Sequence, residues 1–127
     1  IEEIIDMKKR SGPLGYMMGG KDAMSRSLTD IGDTKNDPTD YDLVIIGGPV
    51  WVGAMAPAVR AYLTLKKESF GSVAYFCTAG GDSGEKTLSD MGSITGKEPA
   101  ATLTLHTKVI KKGDVGGDVD KFVGELE

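Results

Sequence analysis

Apolar residues in this chain come in short unalternating runs, each closed by small or turn-forming residues. The clearest is Leu43-Val44-Ile45-Ile46, ended by Gly47-Gly48-Pro49. With no polar alternation, residues 42–47 read as a strand covered on both faces, as parallel strands are in α/β domains. Ser72-Val73-Ala74-Tyr75-Phe76-Cys77-Thr78 is a second such strand, following the break at Gly71. Residues 101–110, rich in Thr, Leu and Val, predict another, and Ile1-Glu2-Glu3-Ile4-Ile5-Asp6 a short one. The intervening segments carry the helical period. Pro57 suits a first helical turn, and Val59, Tyr62 and Leu63 form an i, i+3, i+4 stripe in a helix running to about Lys67. Asp82 or Ser83 can cap the next helix, with Glu85 in its first turn and Leu88, Met91 and Ile94 on its buried face. Asp118 is expected to cap a last helix with Val119, Phe122, Val123 and Leu126 on one side.

Residues 10–39 are the least regular part. Gly12, Pro13, Gly15, Gly19, Gly20 and Gly32 punctuate them, and residues 33–40 read as loop. Tyr16, Met17, Met18 and Met24 fit one or two helical turns between Leu14 and Leu28, with the methionines filling gaps in the core. The strand–helix alternation implies right-handed crossovers and a three-layer α/β/α sandwich.

The 127 residues make one domain, residues 1–127, with enough chain for a single core. Eighteen glycines are about twice ordinary usage, and they cluster after apolar runs, which points to tight turns. A net charge of −4 argues against a nucleic-acid partner. One cysteine leaves no internal disulfide and suits a reducing cytoplasmic setting. No apolar run approaches the roughly 20 residues that span a bilayer, so no membrane partner is expected.

Candidate chemistry gathers where the apolar strands end. In open α/β sheets ligands bind at the carboxyl edge. A loop with two glycines, a proline and the only tryptophan suits a flat ligand: glycine lets the backbone approach, and the indole can stack. Cys77 reads as a small core residue and His106 as a solvent-facing strand residue. Lys8-Lys9-Arg10 reads as a solvated surface that could meet a dinucleotide phosphate. Asp33, Asp37, Asp40 and Asp42 lack calcium-loop spacing, and no Cys/His cluster suggests a metal.

Asp42-Leu43-Val44-Ile45-Ile46-Gly47-Gly48-Pro49-Val50-Trp51, then Ala56-Pro57-Ala58-Val59-Arg60-Ala61-Tyr62-Leu63, then Phe76-Cys77-Thr78-Ala79-Gly80-Gly81, together resemble the flavodoxin-like family, in its branch of flavodoxin family proteins and small flavin reductases. The resemblance runs from Ile1 to Leu126. It implies a parallel sheet of order 2-1-3-4-5 with FMN across its carboxyl edge. It also implies that Pro49, Val50, Trp51, Val52 and Gly53 form one loop holding the flavin ring, after strand three. Thr78, Ala79, Gly80, Gly81 and Asp82 form the other, after strand four. No catalytic side chain is implied, since the flavin carries the chemistry.

The family begins with a strand and a Ser/Thr- and Gly-rich loop that cradles the FMN phosphate at a helix N-terminus. This sequence shows neither. If residues 1–6 are family strand two, an interior strand is missing beside Leu43–Ile46. Three situations follow: the segment lies upstream of this sequence, it was lost and the remaining strands close up, or a second molecule fills the gap. A chain without the phosphate loop is expected to bind FMN poorly. The leading expectation is an FMN-binding electron-transfer protein working with a redox partner protein. The alternative is an NAD(P)H-dependent FMN or quinone reductase, with Gly12–Gly20 and Tyr16 as a pocket wall. Behind these stands a form that no longer binds FMN, and a homo-oligomer stays open. A phospho-receiver is disfavoured, because Gly47 or Gly48 stands where its aspartate would be.

Overall fold

Two apolar strands side by side form the centre of the molecule. The structure is a computed structural model describing residues 1–127. Strand β1 (Leu43–Trp51) runs parallel to β3 (Ser72–Ala79), and β3 runs parallel to β4 (Thr102–His106). The two-residue β2 (Ala54–Met55) folds back antiparallel on the end of β1, giving the order β2-β1-β3-β4.

Helices α2 (Pro57–Lys66) and α3 (Gly84–Thr95) cover one face of the sheet. There Val59, Tyr62, Leu63, Leu88 and Met91 pack with Ile46, Val73, Tyr75 and Cys77 in the main core. Pro57 opens α2, and Gly96, at φ +68, ends α3 in the left-handed conformation that a helix C-terminus favours. The other face carries α5 (Gly116–Leu126), with α4 (Thr107–Lys112) following β4. Its core is small: Ala74, Ala101 and Phe122 are buried, with Leu43, Leu103 and Leu126 against them. The whole is an α/β protein with a mostly parallel sheet and helices on both sides.

Several elements differ from the sequence-based expectation. Residues 1–6 are not a strand and make one isolated bridge, Asp6 to Ile31. Glu2, Glu3 and Asp6 leave only an interrupted apolar row, and side-chain bonds hold the segment instead. The Glu2 carboxylate accepts from the Lys35 and Asn36 backbone N–H groups, and Asp6 from Thr29 and Arg10. The sheet does not close up over a missing strand; its fourth member is β2. The strand expected over 101–110 stops at His106, and Thr107 starts α4, whose end Gly113 caps at φ +73. The last helix begins at Gly116, so Asp118 lies in its first turn rather than at its cap.

The irregular stretch holds a 13-residue helix, α1 (Gly12–Met24). It is inverted relative to an ordinary amphipathic helix. Gly15, Gly19, Gly20 and Ala23 face inward, while Leu14, Met17, Met18 and Met24 face outward, Met17 at 70% exposure. Gap-filling methionines in the core are therefore overturned here. Coverage of β1 on both faces also fails: Ile46 is buried, but Ile45 is 47% exposed, because the small core on its side gathers Leu43, Leu103 and Leu126 around Phe122 instead.

Candidate functional site

The carboxyl edge of the sheet is set by register. Pro49 stands opposite Thr78, and Ala79 opposite His106, so β1, β3 and β4 all end at one rim. Beyond Pro49, β1 continues through Val50 and Trp51. The first expected loop is thus a tight hairpin: Val50 pairs with Met55 and Trp51 with Ala54. Its two turn residues, Val52 at φ +48 and Gly53 at φ +77, are both left-handed, as a two-residue turn of this kind requires. Glycine accepts that geometry freely, whereas a β-branched valine does so only under strain.

The second expected loop follows β3. Thr78 is half-buried and Ala79 buried, while Gly80, Gly81 and Asp82 are exposed. A Cβ at Gly81 would meet nothing within 4 Å, and the nearest neighbour of one at Gly80 would be Thr107 Oγ1 at 3.9 Å. The Thr107 hydroxyl donates to the Ala79 carbonyl at 3.2 Å, tying α4 to the rim. The hairpin and this loop are neighbours: a Cβ on Gly53 would lie 3.5 Å from Ser83 Oγ. All ten residues expected at the site, Pro49 to Gly53 and Thr78 to Asp82, therefore occupy one end of the sheet.

The indole of Trp51 is partly covered. The Arg10 guanidinium carbon lies 5.7 Å from its ring centroid, a cation–π distance. A Cβ on Gly19 would sit 3.4 Å from its ring edge, and one on Gly20 would come within 2.6 Å of the Val52 methyl. The paired glycines of α1 thus let the helix lie directly on the hairpin. A cavity of about 210 Å³ opens between them, lined by Arg10, Gly15, Tyr16, Gly19, Gly20, Val50, Trp51 and Val52. The residues after β3 do not line it, so the rim has a covered half around the indole and an open half at Gly80–Gly81.

Arg10, which the sequence suggested as part of a solvated basic run, instead lies over the indole and lines the cavity. Its Nε donates to Asp6 at 2.6 Å and its Nη1 to Asp22 at 2.9 Å; its buried Nη2 has no partner. Burial works against the Arg10 charge, but the bonds to Asp6 and Asp22 outweigh it and raise its pKa. Burial would raise the Asp6 carboxyl too, yet the bonds from Arg10, Lys8 and Thr29 hold it below the ordinary range. The Asp22 carboxyl is lowered by its bonds to Lys8 and Arg10. Lys8 and Arg10 are therefore engaged within the chain, rather than forming the free basic surface that the run Lys8-Lys9-Arg10 suggested. Asp6 and Arg10 lie only four positions apart, but no local pattern marks the pairs of Lys8 and Arg10 with Asp22, which enters from α1.

Cys77 is fully buried beneath the rim, 3.7 Å from both the Gly84 carbonyl and Thr104 Oγ1, and burial pushes its thiol up. It is a core residue. His106 ends β4 at the surface, beside Ala79. No helix is long and apolar enough to cross a membrane.

No family model and no curated protein matches this chain. A solved structure does: a flavoprotein in complex with FMN from Lactobacillus acidophilus NCFM, 23% identical, with a TM-score of 0.70 over 95% of this chain and 78% of that one. At that identity the likeness establishes the fold alone, and this chain has a flavodoxin-like α/β/α fold.

Proposed function

We propose that this chain binds FMN at the rim formed by Pro49–Gly53 and Thr78–Asp82 and serves in electron transfer to a redox partner protein. The observation that carries this reading is the juxtaposition of the Trp51 hairpin with the Gly80–Gly81 turn at one carboxyl edge. The similar flavoprotein was crystallised with FMN, which supports the same reading. The residues fit the ring. Trp51 and Val50 offer an apolar wall, and the open space around Gly80 and Gly81 lets a planar group approach main chain. The phosphate is served less well, because Arg10 is the only cation lining the cavity and two of its nitrogens are already bonded to Asp6 and Asp22. Bound flavin would supply the electron-accepting ring; the chain would orient it, shield one side with the indole and hold a cation near its edge through Arg10.

If the ring supplies most of the binding, FMN and riboflavin bind with affinities within about threefold of each other, each weaker than about 1 µM, roughly 8 kcal/mol. Replacing Trp51 by Leu weakens both about three- to tenfold, the worth of one aromatic stacking contact, about 0.5–1.5 kcal/mol. Titration of flavin fluorescence measures all four values. Binding of neither flavin, or unchanged binding by the Trp51→Leu protein, would overturn the proposal.

The cavity between α1 and the hairpin favours a second reading, a small NAD(P)H-dependent FMN or quinone reductase. Gly15, Tyr16, Gly19 and Gly20 would wall a nicotinamide or quinone pocket beside the indole. NADPH oxidation by the FMN-supplemented protein with a quinone acceptor separates the two, since an electron carrier alone leaves NADPH unconsumed.

A further inference from the structure

One charged side chain of the core has no partner. Arg60, the fourth residue of α2, is 8% exposed. Its Nε and Nη2, which form one edge of the guanidinium, are sealed from solvent and bond to nothing. Nη1 is the one nitrogen left open, and no hydrogen bond or ion pair forms there either. Arginine does not shed its proton when buried, so the charge stays. A buried charge without a partner is strongly destabilising, and a group of this kind in a folded protein marks the place of an ion or ligand.

The surroundings add positive potential rather than relieve it. Arg60 ends the first turn of α2, where the helix dipole is positive and no acidic residue stands. Arg26, exposed beyond the end of α1, also opposes its charge and makes no ion pair of its own. Burial, and after it the charge of Arg26, lower the Arg60 pKa. The one acid felt there is Asp90 on α3, which does not bond to Arg60; its carboxylate accepts from Lys86 at 3.0 Å. Thr87, one turn before Asp90, is 1% exposed, and its hydroxyl is also without a partner. Both helices lie over the paired strands β1 and β3. What this seam between α2 and α3 lacks is an acceptor that carries negative charge.

We propose that Arg60 and Arg26 form a site for a phosphate-type oxyanion, free or at the end of a phosphomonoester, seated on the open Nη1 at the mouth of the seam. The guanidinium group suits phosphate oxygens, and the sealed edge keeps water from screening its charge. The ion need not enter the core, because Nη1 meets it at the surface and Arg26 is free to close over it. Asp90 opposes the ion in part, but Lys86 already engages that carboxylate. The proposal is independent of the flavin reading: neither arginine lines the cavity beside Trp51, and the test contains no flavin.

The probe is inorganic phosphate, titrated into the full chain by calorimetry at an ionic strength held constant with sodium chloride. Glycerol 3-phosphate supplies the phosphomonoester arm. The expected result is saturable binding of one phosphate per chain. At ten times the dissociation constant the melting temperature should rise by about 4 °C over the chloride control. Arg26→Gln, at an exposed position, should fold as the parent does and bind at least tenfold more weakly. Arg60→Met, which removes the buried charge, should melt no lower than the parent without phosphate and gain nothing from it. Asp90→Asn should bind at least as tightly as the parent, and Lys111→Gln, exposed on α4, within twofold of it. Glycerol 3-phosphate binding as tightly as phosphate assigns the site to a phosphomonoester, and binding tenfold weaker assigns it to the free ion. A phosphate effect no larger than that of chloride overturns the proposal. So do unchanged binding by Arg26→Gln, weaker binding by Asp90→Asn, or an equal loss in Lys111→Gln. These three variants decide the matter even where Arg60→Met does not fold.

Discussion

Val52 is the most strained residue of the rim. It is a β-branched residue at φ +48, and more than half of its surface is exposed, so little burial offsets the strain. The left-handed region costs an L-residue about 1–2 kcal/mol, and glycine avoids that cost while losing some chain entropy. Val52→Gly should therefore stabilise the protein by about 1 kcal/mol, seen as a higher urea midpoint at unchanged slope. A lower midpoint would mean that the contact of its methyl with Gly20 outweighs the strain. Strain of this kind is typical of positions that hold a ligand, so the same variant should be followed for flavin affinity.

Among the elements, α1 shows how a helix can be anchored by its smallest residues. A Cβ at Gly15 would come within 2.4 Å of the Arg10 backbone, which cannot move away as a flexible side chain can. A Cβ at Gly19 would meet only side chains, the Trp51 ring edge at 3.4 Å and Arg10 Cδ at 3.8 Å. Alanine is the better helix former by up to about 1 kcal/mol. Gly19→Ala is thus expected to be neutral or stabilising. Gly15→Ala should cost about 1–3 kcal/mol through overpacking. Thermal melts of the two variants decide it, and equal shifts would sink the claim. This arrangement explains why α1 was hard to read. Sequence patterns infer a buried face from large apolar residues, and here the large ones point to solvent. β1, β3, α2 and α3 were legible for the opposite reason, since their long apolar residues do point into the core. Residues 1–6 misled because three isoleucines in six residues resemble a short strand even where no neighbouring strand pairs with it. The end of β4 was hidden because Thr107 and Val109 suit strand and helix alike.

At the scale of the molecule, the first thirty residues are held largely by charge. Asp6 and Asp22 converge on Arg10, with Lys8 also on Asp22, while Glu2 grips the backbone at Lys35 and Asn36. Bonds from Lys35 and Asn36 lower the Glu2 carboxyl, so all three acids have folded pKa values below their ordinary ones. A depressed acid stabilises the fold above its unfolded pKa, about 4, and that contribution is lost as pH falls through the lower folded value. The urea midpoint should hold from pH 7 to about 4.5 and drop below about 4, with a shallower drop in Asp6→Asn; an equally steep drop in that variant would refute the assignment. The placement of the rim was legible in advance, because Gly-Gly-Pro and Gly-Gly endings mark where buried strands stop. The cation over the indole was not, since Arg10 and Trp51 lie 41 positions apart and meet only once α1 has folded over the hairpin.

That meeting point has a practical consequence. The chain has one tryptophan, and it lies in the seam between the N-terminal third and the sheet, away from the fully buried Val73–Tyr75 stretch. Its ultraviolet emission therefore reports whether α1 is seated, while the peptide-bond signal reports the strands and helices together. An early change in indole colour on heating would register α1 lifting from a body still intact, a partial opening that a single-probe melt would mistake for loss of the whole fold.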